Sequence, residues 1–501
     1  MNAFHTICKL ILILSFLFVP TSVTSANPAD QTQTKPADKK TVRQLNIYNA
    51  PWTGDFDQMI ERRFIRALLP YSRTLYFNDK GRDRGISTDL VHEFERWINK
   101  KYAKRLNKRP LTIVIIPTTR DKLLPGVVTG MGDIAIGNLT VTEERLKVVD
   151  FVSPEGSSVM NELVVSGPTS PSITSVDDLS GRTVHVRKSS SYYESLNALN
   201  ERFNNEGKPA AKLVLVPDAL EDEDMMEMLN AGLLEIIVVD DWKAQMWAQI
   251  LPKIKVNEQA AVRKGGKVGT AIRKESPKLE AEILSFYQSF LKKQDFASYR
   301  LKQYMSRIKQ IKNSTGTSEL KRFEEAVTLF EKYGQLYSFD PLMLAAQGFQ
   351  ESQLNQNAKS HMGAIGVMQV MPDTGRELNV GDISIIEPNI HAGARYLDNL
   401  MRKNFPDANF TQNNRALFAF ASYNCGPGNV SKMRKEAVKL GLDPDMWFNN
   451  VEIVTAQKIG METTTYVRNI FKYYVSYRLL LDAQEELNKA REQVAPGTTG
   501  K

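Results

Sequence analysis

Cysteine is nearly absent from this chain: there are two in 501 residues, Cys8 and Cys425. Cys8 lies ahead of a short apolar run, so an exported, processed form would keep Cys425 alone. With no internal disulfide, its stability has to come from large apolar cores. Histidine is scarce too, with five, and no His/Cys/Asp cluster has metal-ligand spacing, so no metal and no cofactor are expected. No run approaches the about 20 apolar residues that a bilayer-spanning helix needs. No internal repeat is visible. A composition of 42% hydrophobic and 24% charged residues, with 29 Gly and 22 Pro, excludes collagen-like, coiled-coil and bulk-disordered chains.

What is present points to a multidomain protein, since about 150 residues per domain suggests two to four compact units. The net charge of +8 favours an anionic partner such as a wall polymer, a phospholipid surface or a nucleic acid. The basic residues are spread along the chain, and no nucleic-acid motif accompanies them, so nucleic acid is not expected as a partner. Lys9, the apolar run Leu10–Val19 and the small residues Val23 and Ser25 predict a secretory signal over residues 1–25, cut before Ala26. The alternative, an uncleaved anchor, needs a run about twice as long. Residues 26–41 read as a polar, flexible spacer.

From residue 42 to 305 short β-rich runs alternate with helical ones. "RQLNIYNA", "LTIVIIP", "DIAIGNLT", "TVHVRK", "KLVLVP" and "EIIVVDD" are strand-like, whereas "STDLVHEFERWINKKYAKRL" and "SPKLEAEILSFYQSFLKKQ" have helical spacing. This predicts an α/β module of two lobes with largely parallel pairing. "NSTGTS", within residues 306–320, reads as a linker. Residues 321–490 then lose the strand signal and predict an all-α domain, ahead of a disordered tail over 491–501.

In "DPLMLAAQGFQES" Asp340 is suited to cap a helix and Pro341 to its first turn. Glu351 then falls about three turns along, at the negative end of the helix dipole, where partial burial would keep it protonated. An isolated Glu is ordinarily a solvated surface group. Its surroundings here are a series of blocks in register: "ES" (351–352), "AKS" (358–360), "GAIGVMQVMP" (363–372), "EPNIHAGARYL" (387–397), "ASYNCGPGNV" (421–430) and "METTTYV" (461–467). Over roughly residues 325 to 480 the chain resembles the family 1 soluble lytic transglycosylase, goose-lysozyme-like domain, which cleaves peptidoglycan glycan strands.

That resemblance implies that Glu351 is the catalytic acid and then base. It puts Ser360 near the reacting sugar, Met368 and Gln369 on the cleft floor, Tyr423 and Asn424 as the family's Tyr-Asn pair, and Tyr466 as the tyrosine that holds the Glu. On periodicity alone, Tyr466 would be a packing residue of an amphipathic helix. Gly363, Gly366, Gly426 and Gly428 suit backbone turns. The chain departs from the family with Val367 for the common Leu and with Cys425 for Ala, and no base is placed to activate that thiol. A water-using glycosidase wants two carboxylates flanking the bond, whereas Asp373, Asp382 and Glu387 sit in loop or capping contexts. The resemblance therefore implies closure of a 1,6-anhydro ring by the substrate's own hydroxyl.

The α/β part resembles the family 3 solute-binding proteins, through "RGISTDLVHEF", "LLPGVVTGMGDIAIGNLTVTEERLKVVDFVSP", "SVDDLSGRTVHVRKSSS", "LNAGLLEIIVVDD" and "GTAIRKESPKLEAEILSF". It implies that Thr142 and Arg145 grip a ligand carboxylate, and that Asp240 or Asp241 binds a ligand amine. A guanidinium fork suits a carboxylate; the other reading of Arg145 is a surface charge at a helix start. The expected ligand is an amino acid or a muropeptide. Together the modules resemble the membrane-bound lytic transglycosylase F family, which implies a periplasmic location with peripheral attachment at the outer membrane. Two other readings stay open: a periplasmic sensor whose helical domain docks it to the wall, and a hydrolytic muramidase.

Overall fold

The computed structural model describes residues 50–107, 109–153, 159–290 and 311–494. The predicted signal, the spacer, nearly all of the strand expected at 43–50, the first part of the linker and residues 495–501 lie outside them.

Among the described residues twelve strands form the α/β module: β1 Phe64–Pro70, β2 Phe77–Asp79, β3 Arg82–Arg84, β4 Thr112–Thr118, β5 Ile134–Thr140, β6 Asp150–Val152, β7 Met160–Ser166, β8 Thr183–Val186, β9 Lys212–Leu215, β10 Ile236–Asp240, β11 Lys255–Gly266 and β12 Val268–Ile272. Two five-stranded sheets result, ordered β4-β1-β5-β12-β6 and β11-β7-β10-β8-β9, with β2 and β3 as a separate hairpin. The chain builds the first lobe, crosses to the second after β6 and returns with β12. That double crossing corrects the expectation of largely parallel pairing. β1 pairs in parallel with β4 and β5, and β8 with β9 and β10, but β12 against β5 and β6, and β7 against β10 and β11, are antiparallel.

From Thr317 onward the described elements are helices joined by loops. Thr317–Tyr337, Pro341–Ser352, Pro372–Leu378, Ile386–Asn404, Gln412–Cys425, Pro427–Lys439, Glu452–Lys458 and Met461–Val494 surround a core that includes Phe330, Phe349, Phe418 and Trp447. The last helix runs through residues 491–494, into the stretch expected to be disordered. The polar stretch at 313–318 is packed down: Ser314 is buried and shares a hydrogen bond with Ser476 at 2.9 Å.

The second lobe and the helical module share one apolar core, in which Met225, Met228 and Leu229 join the cluster of Phe330 and Phe349. Their common border is the helix Asp222–Asn230, buried along its whole length although it carries Asp222, Glu223, Asp224 and Glu227. Its acids are paired. Asp224 meets Lys472 at 2.9 Å, Arg73 at 3.1 Å and Arg468 at 3.2 Å, and Glu227 meets Arg73 at 2.9 Å and also Lys472. A buried carboxylate is tolerated only with such partners, so this border holds its two sides in one register.

Candidate active site

The helix Pro341–Ser352 starts as its sequence predicts. Asp340 accepts the Leu342 N–H at 2.8 Å, and Pro341 fills the first position. It stops where Gln353 and Leu354 turn left-handed, at φ 57° and 59°. Glu351 sits one residue from that end, at the negative end of the helix dipole, which disfavours a second negative charge.

The Glu351 carboxyl is pushed up to about 7, mainly by burial, and the Tyr466 hydroxyl, which donates to its Oε1, pulls the other way. Tyr466 comes from the helix Met461–Val494, which crosses Pro341–Ser352. Tyr423 completes the group: it donates to the Met368 carbonyl at 2.7 Å and packs edge-on against Tyr396. Burial raises the Tyr423 and Tyr466 hydroxyls far above the usual phenol range, and the Glu351 charge adds to both. Both tyrosines therefore stay neutral donors beside an acid that titrates near neutrality.

The loop that follows is held by several side chains, Asn389 among them. Asn389 is fully buried, donates to the Ile365 and Ile383 carbonyls at 3.0 Å each, and accepts the Met368 N–H at 2.8 Å. It fits because residue 366 is glycine: at φ +80° an added Cβ would stand 2.2 Å from the Asn389 amide. Ser352 ties the same loop to the Glu351 helix by donating to the Val367 carbonyl at 2.8 Å.

The expected site residues divide into two groups. Glu351, Tyr423 and Tyr466 are brought together. Asn424 is exposed next to Tyr423 and accepts the Thr463 hydroxyl at 2.7 Å. Ser360 lies at an exposed turn, accepting the Ala364 N–H at 3.0 Å. Met368 is a correction: its side chain is fully buried against Gly393, so what it offers the site is the carbonyl that anchors Tyr423. Gln369, at φ +48°, folds back to donate to the Gly366 carbonyl at 2.9 Å and braces the loop. Asn389 lies in the block 387–397, where the sequence alone assigns it no role; the signal for it is the glycine-rich loop, which needs a polar clasp.

The other nearby acids have their own partners. Glu387 meets Lys332 at 2.7 Å and Tyr333 at 3.1 Å, Asp373 pairs with Arg376, and Asp382 accepts the Ser384 N–H at 2.9 Å. Burial pushes the Cys425 thiol up, which leaves it a poor nucleophile. Among the described residues no group of His, Cys, Asp and Glu could hold a metal.

In the α/β module Thr142 caps a one-turn helix, accepting the Arg145 N–H at 3.3 Å. Arg145 is not a surface charge. Its guanidinium donates to Glu194 at 3.0 Å, to the Thr140 carbonyl at 3.1 Å and to the Ser189 carbonyl at 3.2 Å, which spans the two lobes. The carboxylate it grips belongs to the protein. Asp240 is buried, bonded by Asn138 and pushed up to about 6 by burial, while Asp241 accepts from the Asn161 backbone at 3.1 Å.

Comparison with known proteins matches residues 328–443 to the transglycosylase SLT domain and residues 68–305 to the bacterial extracellular solute-binding proteins, family 3. The chain is 29% identical over 375 residues to a membrane-bound lytic murein transglycosylase F of Desulfosudis oleivorans, covering 71% of this chain and 79% of that one. It is 26% identical over 455 residues to a protein of the same name from Aeromonas hydrophila, covering 87% and 86%. Among solved structures, holo ArgBP from T. maritima aligns over 50% of this chain and 99% of its own, at 24% identity and a TM-score of 0.38.

Proposed function

We infer that this chain, a peptidoglycan lytic transglycosylase of the membrane-bound type F, in which an SLT domain follows a family 3 solute-binding module, cuts the β-1,4 bond between N-acetylmuramic acid and N-acetylglucosamine with Glu351 as acid and base. The observation that carries the residue assignment is a single carboxyl pushed up to about 7 and hydrogen-bonded by Tyr466. Near neutral pH such a group is both an available proton donor and, once ionised, a competent acceptor.

Glu351 gives its proton to the glycosidic oxygen as the bond to C1 breaks, and N-acetylglucosamine leaves. The muramyl N-acetyl group supports the electron-poor C1. Ionised Glu351, steadied by the Tyr466 donor, takes the proton of the muramyl C6 hydroxyl while O6 bonds to C1. The 1,6-anhydro ring closes and the Glu351 proton is restored, so water and a second carboxylate have no part. Asn424, exposed next to Tyr423, and Ser360, exposed on the loop that follows the Glu351 helix, are our candidates for sugar contacts. Mass spectrometry of sacculi digested with the full chain tests the reading: anhydromuropeptides are expected, and reducing muramyl ends would make the protein a hydrolase instead.

The α/β module supports ligand control of this site. One helix carries both Tyr466, which bonds Glu351, and Arg468 and Lys472, which bond Asp224 in the second lobe. A ligand that shifts the lobes acts on turnover only if it distinguishes the two arrangements. Anhydro-product release that stays constant across saturating amino acids and muropeptides would exclude that control. We place the protein at the periplasmic side of the envelope, attached peripherally; among the described residues no helix is long and apolar enough to cross a membrane.

A further inference from the structure

The cavity between the two lobes does not have the walls of a site for a free amino acid. It is lined by Arg120, Arg145 and Arg187, the serines 189–191, Tyr192 and Asn138, together with Leu124 and Leu139, and no carboxylate is among these. Asp240, the expected partner of a ligand ammonium, is outside this wall. It is buried behind it, bonded by Asn138 and 3.9 Å from the Lys243 ammonium.

Two donors of the cavity lining have no acceptor among the described residues, and the one unpartnered oxygen of Asp240, Oδ1, lies behind the wall rather than in it. Arg187 has a side chain 1% exposed and pairs with Asp222 and Glu221, yet its Nε has no partner among the described residues. Arg120, 9% exposed, uses Nε on Glu221 and Nη1 on the Gly137 carbonyl, and its Nη2 is likewise unpartnered. A buried donor without an acceptor costs about 1–3 kcal/mol, so two beside one cavity are not a neutral accident. The cavity also receives the N-terminus of the 15-residue helix Ser191–Asn205, capped by Ser190. Its first N–H groups and its dipole favour an anion.

We propose that the interlobe cavity binds a carboxylate that carries no free ammonium beside it, seated between Arg120, Arg187 and the start of the Ser191–Asn205 helix. The inference deepens the ligand-control reading without depending on the catalytic one. An α-ammonium placed here would face three guanidinium-bearing side chains and leave its hydration with no carboxylate of the lining in exchange. An acylated amine, as in an N-acyl amino acid, or a second carboxylate avoids that cost. Leu124 and Leu139 are suited to its short apolar part.

Calorimetric titration of the full chain with N-acetylalanine, succinate and alanine tests this. The expected result is binding of N-acetylalanine or succinate at least tenfold tighter than alanine, and which of the two binds tells an acylated amino acid from a dicarboxylate. Equal or tighter binding of alanine, or binding of none, overturns the proposal. Two variants tie the result to the site. The pair Arg120→Gln with Glu221→Gln removes a donor without stranding its acid and should weaken the preferred probe tenfold or more. Asp240→Asn should leave it unchanged, whereas loss there would restore the amine-binding reading. Should the double variant fail to fold, the order of the three probes with the unaltered chain still decides.

Discussion

The two clefts of this molecule handle charge in opposite ways. In the helical module one carboxyl stands without a charged partner and is pushed up to about 7. In the α/β module nearly every charge has been given one: Arg145 holds Glu194, Arg120 holds Glu221 and Arg187 holds Asp222. Isolation perturbs a group and fits it for proton transfer; pairing cancels charge and leaves shape and leftover donors to select a ligand. The substitutions below attack that contrast, beginning where isolation matters most.

Glu351→Gln removes the only proton donor assigned to the reaction. Turnover should fall at least about a thousandfold, read as anhydromuropeptide release, while folding is kept. The stability effect has a defined sign. The folded carboxyl titrates above the unfolded value, so the cost of ionising it is absent below about pH 4.5 and complete above about pH 7. The variant should therefore be more stable than the parent by about 1–3 kcal/mol at pH 8 and match it near pH 4. A variant that loses stability at pH 8 would mean that Glu351 is an ordinary paired acid.

Asn389→Ala strikes the clasp of the loop rather than the reaction. Three hydrogen bonds vanish and the Met368 N–H is stranded, while the Ile365 carbonyl keeps the Val370 N–H at 3.0 Å and the Ile383 carbonyl keeps the Gln356 amide at 3.1 Å, which should cost about 1–3 kcal/mol in denaturant unfolding. Unchanged stability would show that the loop holds itself. Tyr466→Phe should lower turnover about ten- to a hundredfold, the worth of a hydrogen bond to a charged group. Because that bond pulls the Glu351 carboxyl down, its loss should also move the alkaline limb of the pH–rate profile upward. A limb that stays still would reduce Tyr466 to a packing residue.

How much of this could be read beforehand follows the same division. Glu351 was legible because Asp340 and Pro341 fix the start of its helix, and counting three turns then places it at the end. Tyr466 was legible from its motif alone, since its helix is amphipathic and periodicity gives it to the core. The resemblance puts Met368 on the cleft floor, and only the fold shows its side chain packed into the core, where Gly393 makes room for it. β1 went unseen: "FIRALLP" has Arg66 in its middle, and only the fold supplies Asp133 and the Gly130 carbonyl that let this arginine be fully buried. β11 was hidden by its own polarity, "KVNEQAAVRKGG", which pairing with β7 overrides. The paired charges between the lobes were the least legible, since each partner comes from a distant segment.

Those pairs give the smallest expected effect. Glu194→Gln takes away the carboxylate that Arg145 holds, but the guanidinium keeps the Thr140 and Ser189 carbonyls at 3.1 and 3.2 Å. The pair is partly solvated, 10% and 29% exposed, so the loss of stability should stay under about 1 kcal/mol and be hard to see in a melting curve. Ligand binding is the more sensitive readout. Freed from its internal anion, Arg145 becomes an unbalanced guanidinium at the cavity wall, and binding of N-acetylalanine should tighten by about three- to tenfold, the equivalent of about 1 kcal/mol. If binding weakens instead, Glu194 is itself a ligand contact, and the cleft is set up for a cation after all.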